Sequence, residues 1–351
     1  MTSVKEFRIE EDATAKALGR GAFYFTDDYS VFDWGKMPDP IPDKGASLCT
    51  MGAFNFELLE DEGVGTHYRG VVPENKAGED TASNEPARLS EIEGAPREMA
   101  IALSQIPDLP RDGRIYDYDA YHDAAAENYV VPLEIVFRNS VPIGSSLRSR
   151  TDPADHGLEN LAGTGWPDEP IDLAEPIVEF STKYEESDRY LDREEADEIS
   201  GSASISALET LARDVNRIVT DHAAEQGFTH EDGKIEVVYH QGDLLVADVV
   251  GTFDENRFAY DGQQLSKEVL RQYHKRTQPE WVAAVDDAKT QAKTEGVADW
   301  KGLCEERPAP LDPEVLQTAR NMYAAGTNAY VGEDRFDAPS IDDAIAAIRE
   351  L

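Results

Sequence analysis

The segment from Asp232 to Arg257, DGKIEVVYHQGDLLVADVVGTFDENR, sets two carboxylates, Glu236 and Asp248, on the arms of the best hairpin pattern in the chain. If Gln241, Gly242 and Asp243 form a three-residue connection, His240 faces Leu244 and Glu236 faces Asp248. Directly opposed cross-strand residues hold their Cβ atoms about 5 Å apart, and like charges there repel. A bridging Mg²⁺ removes that penalty, since it takes one or two carboxylates together with nucleotide phosphates. A two-residue turn instead slips the register by one and sends the two acids to opposite faces. The hairpin by itself leaves both registers open.

A second group is cationic. Residues 131–150, VPLEIVFRNSVPIGSSLRSR, hold Arg138, Arg148 and Arg150 against one acid, Glu134. Arginine is shaped for phosphate or carboxylate, and Gly144-Ser145-Ser146 can offer N–H groups and hydroxyls to the same anion. The alternative is that these arginines pair with acids elsewhere. GTFDENRF sets Asp254 and Arg257 just past the hairpin, as a turn ion pair or as substrate contacts. LGRGAFYF is a Gly-x-Gly element leading into a strand, a weak phosphate-loop signal by itself. His67, His222, His230 and His240 lack the spacing of a zinc hydrolase or a Ser/His/Asp triad.

The elements that must hold these groups are readable in part. GAFYF and YSVFDW read as strands, and PDPIPDKG as an irregular connection. ASLCTMGAFNFELLEDEG reads as a helix with Leu48, Met51, Phe54 and Leu58 on one face, ending at Gly63. Residues 73–97 read as a variable loop. NYVVPLEIVFRNSVPIGSSL returns to strand character, with Pro132 and Pro142 placing it at an edge or bulge. Thr151 to Ala174 reads as a surface wrap, ISALETLARDVNRIVTDHAAEQG as an amphipathic helix, and the chain from Ser266 as mostly helical. The order is β-rich first and α+β later, without repeating βαβ units. The tail from Asp334 to Leu351 carries no legible function, and no interface pattern gives an oligomeric state.

Composition bounds the rest. The 351 residues carry 71 acids against 33 bases, a net charge of −38, with only 12 lysines among the bases. The acids are spread along the chain, a surface that needs salt to screen it, so a salt-adapted host is expected. Nucleic-acid binding is not expected of it, because phosphate contact needs positive surface. No run is long and apolar enough for a membrane span, and the N-terminal residues are polar, which points to a cytoplasmic protein. Cys49 and Cys304 are too few for a disulfide framework and read as reduced and buried.

Taken in order, these segments resemble the SAICAR synthetase (phosphoribosylaminoimidazole-succinocarboxamide synthase) family. TDDYSVFD and IPDKG, with Thr26, Asp27, Ser30, Asp33, Lys44 and Gly45, resemble its T-D-R-x-S-A-F-D and I-P-x-K-G elements. THYRG stands where the family has a Thr-His pair. VPLEIVFRN, with Pro132, Glu134 and Arg138, resembles P-L-E-x-x-x-R, and EPIVEFSTKYE, with Ser181, Thr182, Lys183 and Glu185, resembles E-P-I-F-x-x-S-T-K-x-E. EDGKIEV resembles D-x-K-x-E-F, VADVVGTFDENRF resembles x-D-E-x-x-T-P-D-S-S-R-F, and PEVLQTARNMYAAGTNAYVG the last family helix. The likeness spans most of residues 19–332. Departures are Asp28 for the arginine of T-D-R, Glu127 for a common lysine, Ser187-Asp188 for a His-Asp pair, and Val249 for the glutamate of D-E. The family's G-K-x-R-D-x-Y hairpin is compressed into GRGAFYF, with Arg20 standing for its lysine.

The resemblance implies an α+β, two-lobed fold with antiparallel sheets, distantly like protein kinases and ATP-grasp enzymes. Residues 1–128 would form a β-rich nucleotide lobe and 129–351 a lobe with substrate and metal sites. It implies a carbon–nitrogen ligase that uses ATP and Mg²⁺ to join L-aspartate to the carboxylate of 5-amino-1-(5-phosphoribosyl)imidazole-4-carboxylate (CAIR), through an acyl phosphate. Glu236 and Asp248 would hold the metal and nucleotide, with Gly19, Arg20, Gly21 and Lys44 also on the nucleotide. Lys234, Asp232 and Arg257 would be catalytic; Arg138, Ser145, Ser146, Lys183 and Asp254 would bind substrate. It favours the three-residue hairpin turn. A kinase-like phosphotransferase, disfavoured by the lack of H-R-D and D-F-G elements, and a non-catalytic nucleotide-binding protein are the alternatives.

Overall fold

The computed structural model describes residues 5–73, 85–113, 115–142, 145–161, 163–186, 188–297 and 299–351. Its first sheet is built from β1 (Lys5–Glu11), β2 (Gly19–Phe25), β3 (Tyr68–Val72) and β4 (Glu98–Leu103), antiparallel in the order β1-β2-β4-β3. Between β2 and β3 runs α1 (Lys44–Asp61). A small ribbon, β5 (Arg111–Asp112) and β6 (Ile115–Tyr116), and α2 (Tyr118–Ala125) lead to the second sheet.

That sheet takes β7 (Asn128–Val130), β8 (Leu133–Val141), β9 (Ile171–Thr182), β10 (Tyr190–Leu191), β11 (Phe228–His240), β12 (Asp243–Ala247), β13 (Arg257–Tyr260) and β14 (Gln263–Leu265). Its path is β10-β9-β8-β11-β13-β14, and β7 and β12 pair with the outer half of β11. The helices are α3 (Leu147–Arg150), α4 (Arg193–Ser200), α5 (Ile205–Glu225), α6 (Glu268–Thr277), α7 (Pro279–Glu295), α8 (Pro313–Val331) and α9 (Ile341–Glu350). This is the expected two-lobed α+β architecture with antiparallel sheets. No helix of the described residues is long and apolar enough to cross a membrane.

Alternation along the central strands positions the site. Ile135, Phe137, Ile235 and Val237 are buried on one face of β8 and β11, the side that α5 covers with Leu208, Ala212, Val215 and Val219. Each such aliphatic side chain contributes roughly 1.5–3 kcal/mol on burial. Period-two geometry then sends Glu134, Val136 and Arg138 of β8, and Asp232, Lys234, Glu236 and Val238 of β11, to the other face. The helix α5 starts at Ser204, whose hydroxyl accepts from the Ala207 N–H, and stops before Gly227 at φ 82°.

The helix α1 is more deeply set than its one-faced pattern suggests. Leu48 and Met51 are buried, but so are Cys49, Ala53, Phe56 and Leu59 around the rest of its girth, because it touches β2, α5 and α8 at once. Gly45 is required at its start, where a Cβ would lie 2.4 Å from the Phe25 carbonyl oxygen.

Two expectations are corrected. YSVFDW is not a strand: Phe32 and Asp33 take φ 55° and 57°, and the Trp34 N–H returns to the Val31 carbonyl at 3.1 Å. Two successive left-handed residues cannot continue an extended chain. Second, β8 is an interior strand between β9 and β11, not an edge. Pro132 falls in the gap between β7 and β8 and Pro142 just past the end of β8, so neither removes a ladder donor; a bulge does occur between Arg138 and Ser140. The N-terminal residues 5–11 form β1, and the tail carries α9, in line with a mostly helical chain from Ser266. Of the 73–97 loop, residues 74–84 lie outside the described residues, and the remainder holds a 3-10 turn at Leu89–Glu91.

Candidate active site

The hairpin has the two-residue turn, not the three-residue one. Pairing runs His240 to Asp243, Tyr239 to Leu244 and Glu236 to Ala247. Gln241 and Gly242 sit at φ 52° and 97°, the two left-handed positions of a type I′ turn, whose twist suits the strands. A slip by one should part the two acids. It does not, because β12 ends at Ala247 and Asp248 takes φ 62°. That left-handed residue turns its carboxylate back to the Glu236 side, at a cost of about 1–3 kcal/mol.

His67 holds the reversal in place. Its Nε2 donates to the Asp248 carbonyl at 3.1 Å. Burial drives the His67 pKa down to about 4, so the ring is neutral at pH 7.

Glu236 and Asp248 line a cleft of 430 Å³ between the two sheets, a volume suited to a small ligand. Its apolar walls come from Phe7, Phe23, Ile101 and Leu103 on one side and Val130, Val238 and Ala247 on the other. Its charged end holds four carboxylates, Glu134, Glu236, Asp248 and Glu255, and three lysines, Lys5, Lys183 and Lys234. Lys5 pairs with Asp248 and Lys183 with Glu236. Lys234 reaches Glu134 at 2.9 Å, Glu255 at 3.3 Å and Glu236 at 3.6 Å.

These contacts set the protonation states. Burial works to lower Lys234, but Glu255, Glu236 and Glu134 overcome it and push the ammonium well above its ordinary value. Lys234 is therefore a fixed cation, not a base. Burial and the neighbouring Asp248 charge push Glu236 up despite Lys183 and Lys234. Burial works the same way on Asp248, yet Lys5, Lys234 and Lys183 hold it well below the usual carboxylate range.

One step of about 7 Å along β11 from Lys234 lies a second group. Asp232 sits between two guanidiniums, 2.8 Å from Arg257 and 3.3 Å from Arg138. Arg138 also meets Glu179 at 2.7 Å, and Arg150 meets the same Glu179 at 2.8 Å while covering the Tyr190 ring. The lack of acids nearby in sequence was thus misleading, because β9 and β11 bring them. Arg148 is no anion ligand in this arrangement; it donates to the carbonyls of Val141, Pro142, Pro167 and Glu169 and clasps that loop. Ser145 is buried, Ser146 exposed, and Gly144 lies outside the described residues.

Several expected site residues stand elsewhere. Gly19 opens β2 and Gly21 lies within it, where a Cβ would come 2.2 Å from the Glu11 oxygen and 2.5 Å from the Arg8 oxygen, respectively. They let β1 approach, and do not line the cleft. Arg20 is exposed and pairs with Glu11 at 3.0 Å. Among the described residues before β7, the lysine that enters the cleft is Lys5, from a polar stretch whose pairing partner lies beyond sequence neighbours. Lys44 is fully buried against Asp254 at 2.6 Å, and Tyr323 donates to the same carboxylate at 2.7 Å. Neither Lys44 nor Asp254 lines the cleft; the pair is an interior brace. Glu255, between Asp254 and Arg257, is the residue of that turn that faces the cleft, and sequence reading passed over it.

Glu236 and Asp248 fit a magnesium ion by donor chemistry. They are two oxygen donors on one wall of the cleft, the number Mg²⁺ takes when phosphate and water complete its shell. Among the described residues no group of three or more His, Cys, Asp or Glu is arranged to hold a metal.

Fold and cleft together define a two-lobed α+β protein with a charged site between two antiparallel sheets. A family model described as SAICAR synthetase matches residues 14–288, and the chain belongs to that family. A putative phosphoribosylaminoimidazole-succinocarboxamide synthase of Archaeoglobus fulgidus is 40% identical over 359 positions, covering 100% of this chain and 99% of the relative. The synthase of Thermoplasma acidophilum is 30% identical, covering 86% and 89%. A SAICAR synthase from Saccharomyces cerevisiae, solved with SAICAR, matches with a TM-score of 0.60 at 20% identity over 95% of this chain and 94% of that one, which shows the fold. The family joins aspartate to CAIR in purine biosynthesis with ATP.

Proposed function

We propose that this chain ligates L-aspartate to the carboxylate of CAIR, yielding SAICAR, ADP and phosphate, with Mg²⁺ held between Glu236 and Asp248. The observation that carries the reading is the row on β11. Asp232 with its arginines, the cation Lys234 and the carboxylate Glu236 follow one another on one face, so a phosphate-bearing acceptor and a nucleotide would meet over Lys234. The lobe of residues 1–128 would cover the nucleotide, with its base between the Ile101–Leu103 and Val130–Ala247 walls.

Lys5 and Lys183 would turn from Asp248 and Glu236 to the nucleotide phosphates as metal takes the carboxylates. Bound Mg²⁺ supplies charge neutralisation and orientation of the phosphates. Arg138, Arg257 and Arg150, with Ser145 near the clasped loop, would hold the acceptor's anionic groups. Lys234 would face the carboxylate as it is activated to an acyl phosphate, which the aspartate amine then attacks. Its role is electrostatic, since it cannot lose its proton at pH 7.

ADP release should require both aspartate and CAIR, in molar KCl with Mg²⁺. ADP formed with another acceptor and without aspartate would make the protein a phosphotransferase; no ADP under any condition would favour a non-catalytic role. The charge of −38 adds a salt expectation. Circular dichroism should show loss of ordered structure on dialysis from molar KCl into dilute buffer, and an unchanged spectrum would refute the salt-adapted reading.

A further inference from the structure

The turn Thr252–Arg257 leads from the hairpin into β13 and carries three polar residues in succession. Asp254 is drawn inward by Lys44 and Tyr323. Asn256 is fastened inward too: its Nδ2 donates to His230 Nε2 at 2.8 Å, and its Oδ1 accepts from the Gly251 N–H at 3.1 Å. The backbone between is closed by the Glu255 and Asn256 N–H groups on the Thr252 carbonyl, at 3.2 and 2.8 Å. Gly233 of β11 admits the approach, since a Cβ there would lie 2.1 Å from Asn256 Nδ2. With both neighbours pinned on the interior side, Glu255 is aimed into the cleft, its side chain 19% exposed.

Lys234 has three N–H donors and three carboxylates about it. One of them, Glu236, belongs to the proposed metal pair and would be drawn off Lys234 on metal binding. Glu134 and Glu255 remain. We propose that Glu255 is a positioning residue that, with Glu134, keeps the Lys234 ammonium fixed over the reacting groups once Glu236 engages the metal. Burial pushes the Glu255 carboxyl up, but Lys234 and Lys267 more than offset it, so it is ionised at pH 7 and able to serve.

The test joins two readouts in the full-length protein at molar KCl. Pulse acetylation with peptide mass spectrometry reports Lys234 directly. Glu255→Gln should label several-fold faster at Lys234 while the exposed Lys275 and the surface Lys289 keep their wild-type rates, and Glu255→Asp should restore slow labelling. The kinetic arm assumes the ligase function proposed above; the labelling arm does not. In that arm kcat should fall about 10–100-fold in Glu255→Gln with the KM for ATP little changed, the size typical of lost support behind a functional group. In a Lys234→Met background the Glu255→Gln change should lower kcat no further. Unchanged Lys234 labelling, or a kcat that falls again even without Lys234, would overturn the proposal.

Discussion

Asp248→Asn is expected to lower Mg-ATP turnover by at least about 10²–10³-fold, the range for losing a preorganised electrostatic group at a reacting centre. The fold should survive it. Asparagine tolerates the left-handed region nearly as well as aspartate, so φ 62° remains accessible. The His67 bond goes to the backbone carbonyl and is indifferent to the side chain. What disappears is one of the two acids for the metal, together with the partner of Lys5. Nucleotide without metal should bind no worse than to wild type, because a negative charge has left the cleft, whereas stimulation of binding by Mg²⁺ should be lost. A nucleotide titration with and without Mg²⁺, beside an ADP-release assay, separates these effects. Full activity with normal Mg²⁺ stimulation would sink the metal assignment.

The same residue shows what sequence could and could not supply. Both acids and their hairpin were legible, because alternation and a Gly-containing turn are local signals. The register was not, since one residue in the turn decides it and both turn lengths are compatible with QGD. The expected convergence of Glu236 and Asp248 nonetheless arises, through a different cause: a shifted register undone by one left-handed residue. Strong periodicity also served α5, whose buried face repeats at helical spacing, whereas α8 is buried all round from Met322 to Thr327.

Where burial is nearly absent, the pattern gave no guide. Lys5 lies on β1, a strand exposed along most of its length, so nothing in KEFRIEE marks which residue turns inward. The tail falls in the stretch read as mostly helical, and its α9 is held by buried Ala344, Ile345 and Ile348 and a contact with α8. Arg335 ties the chain before it to the carbonyls of Leu89, Ile92 and Gly94. The Gly-x-Gly element misled in the opposite direction, because glycine serves a close backbone approach as readily as a phosphate loop.

Lys44 and Asp254 carry the largest expected effect on stability. Lys44 is fully buried and Asp254 9% exposed at the side chain, and the two meet at 2.6 Å beneath the Tyr323 hydroxyl. Removing one partner strands the other's charge in the interior, which costs about 3–5 kcal/mol. Lys44→Met should therefore lower the urea midpoint markedly at constant molar KCl. Lys44→Met combined with Asp254→Asn should recover part of that loss, because no unpaired charge remains buried.

Acidity gives an independent check on the same pair. Burial pushes Asp254 up, but Lys44, Lys267 and the Tyr323 hydrogen bond outweigh it and hold the carboxyl below its ordinary value. The stability this confers is present above the unfolded carboxylate pKa and is lost as pH falls through the lower folded one. Without Lys44 the buried carboxyl is expected to rise instead, so protonation favours the mutant's folded state. The stability gap between wild type and Lys44→Met should accordingly narrow on acidification from pH 7. A Lys44→Met protein as stable as wild type, but with a raised KM for ATP, would return Lys44 to the nucleotide and remove it from the interior brace.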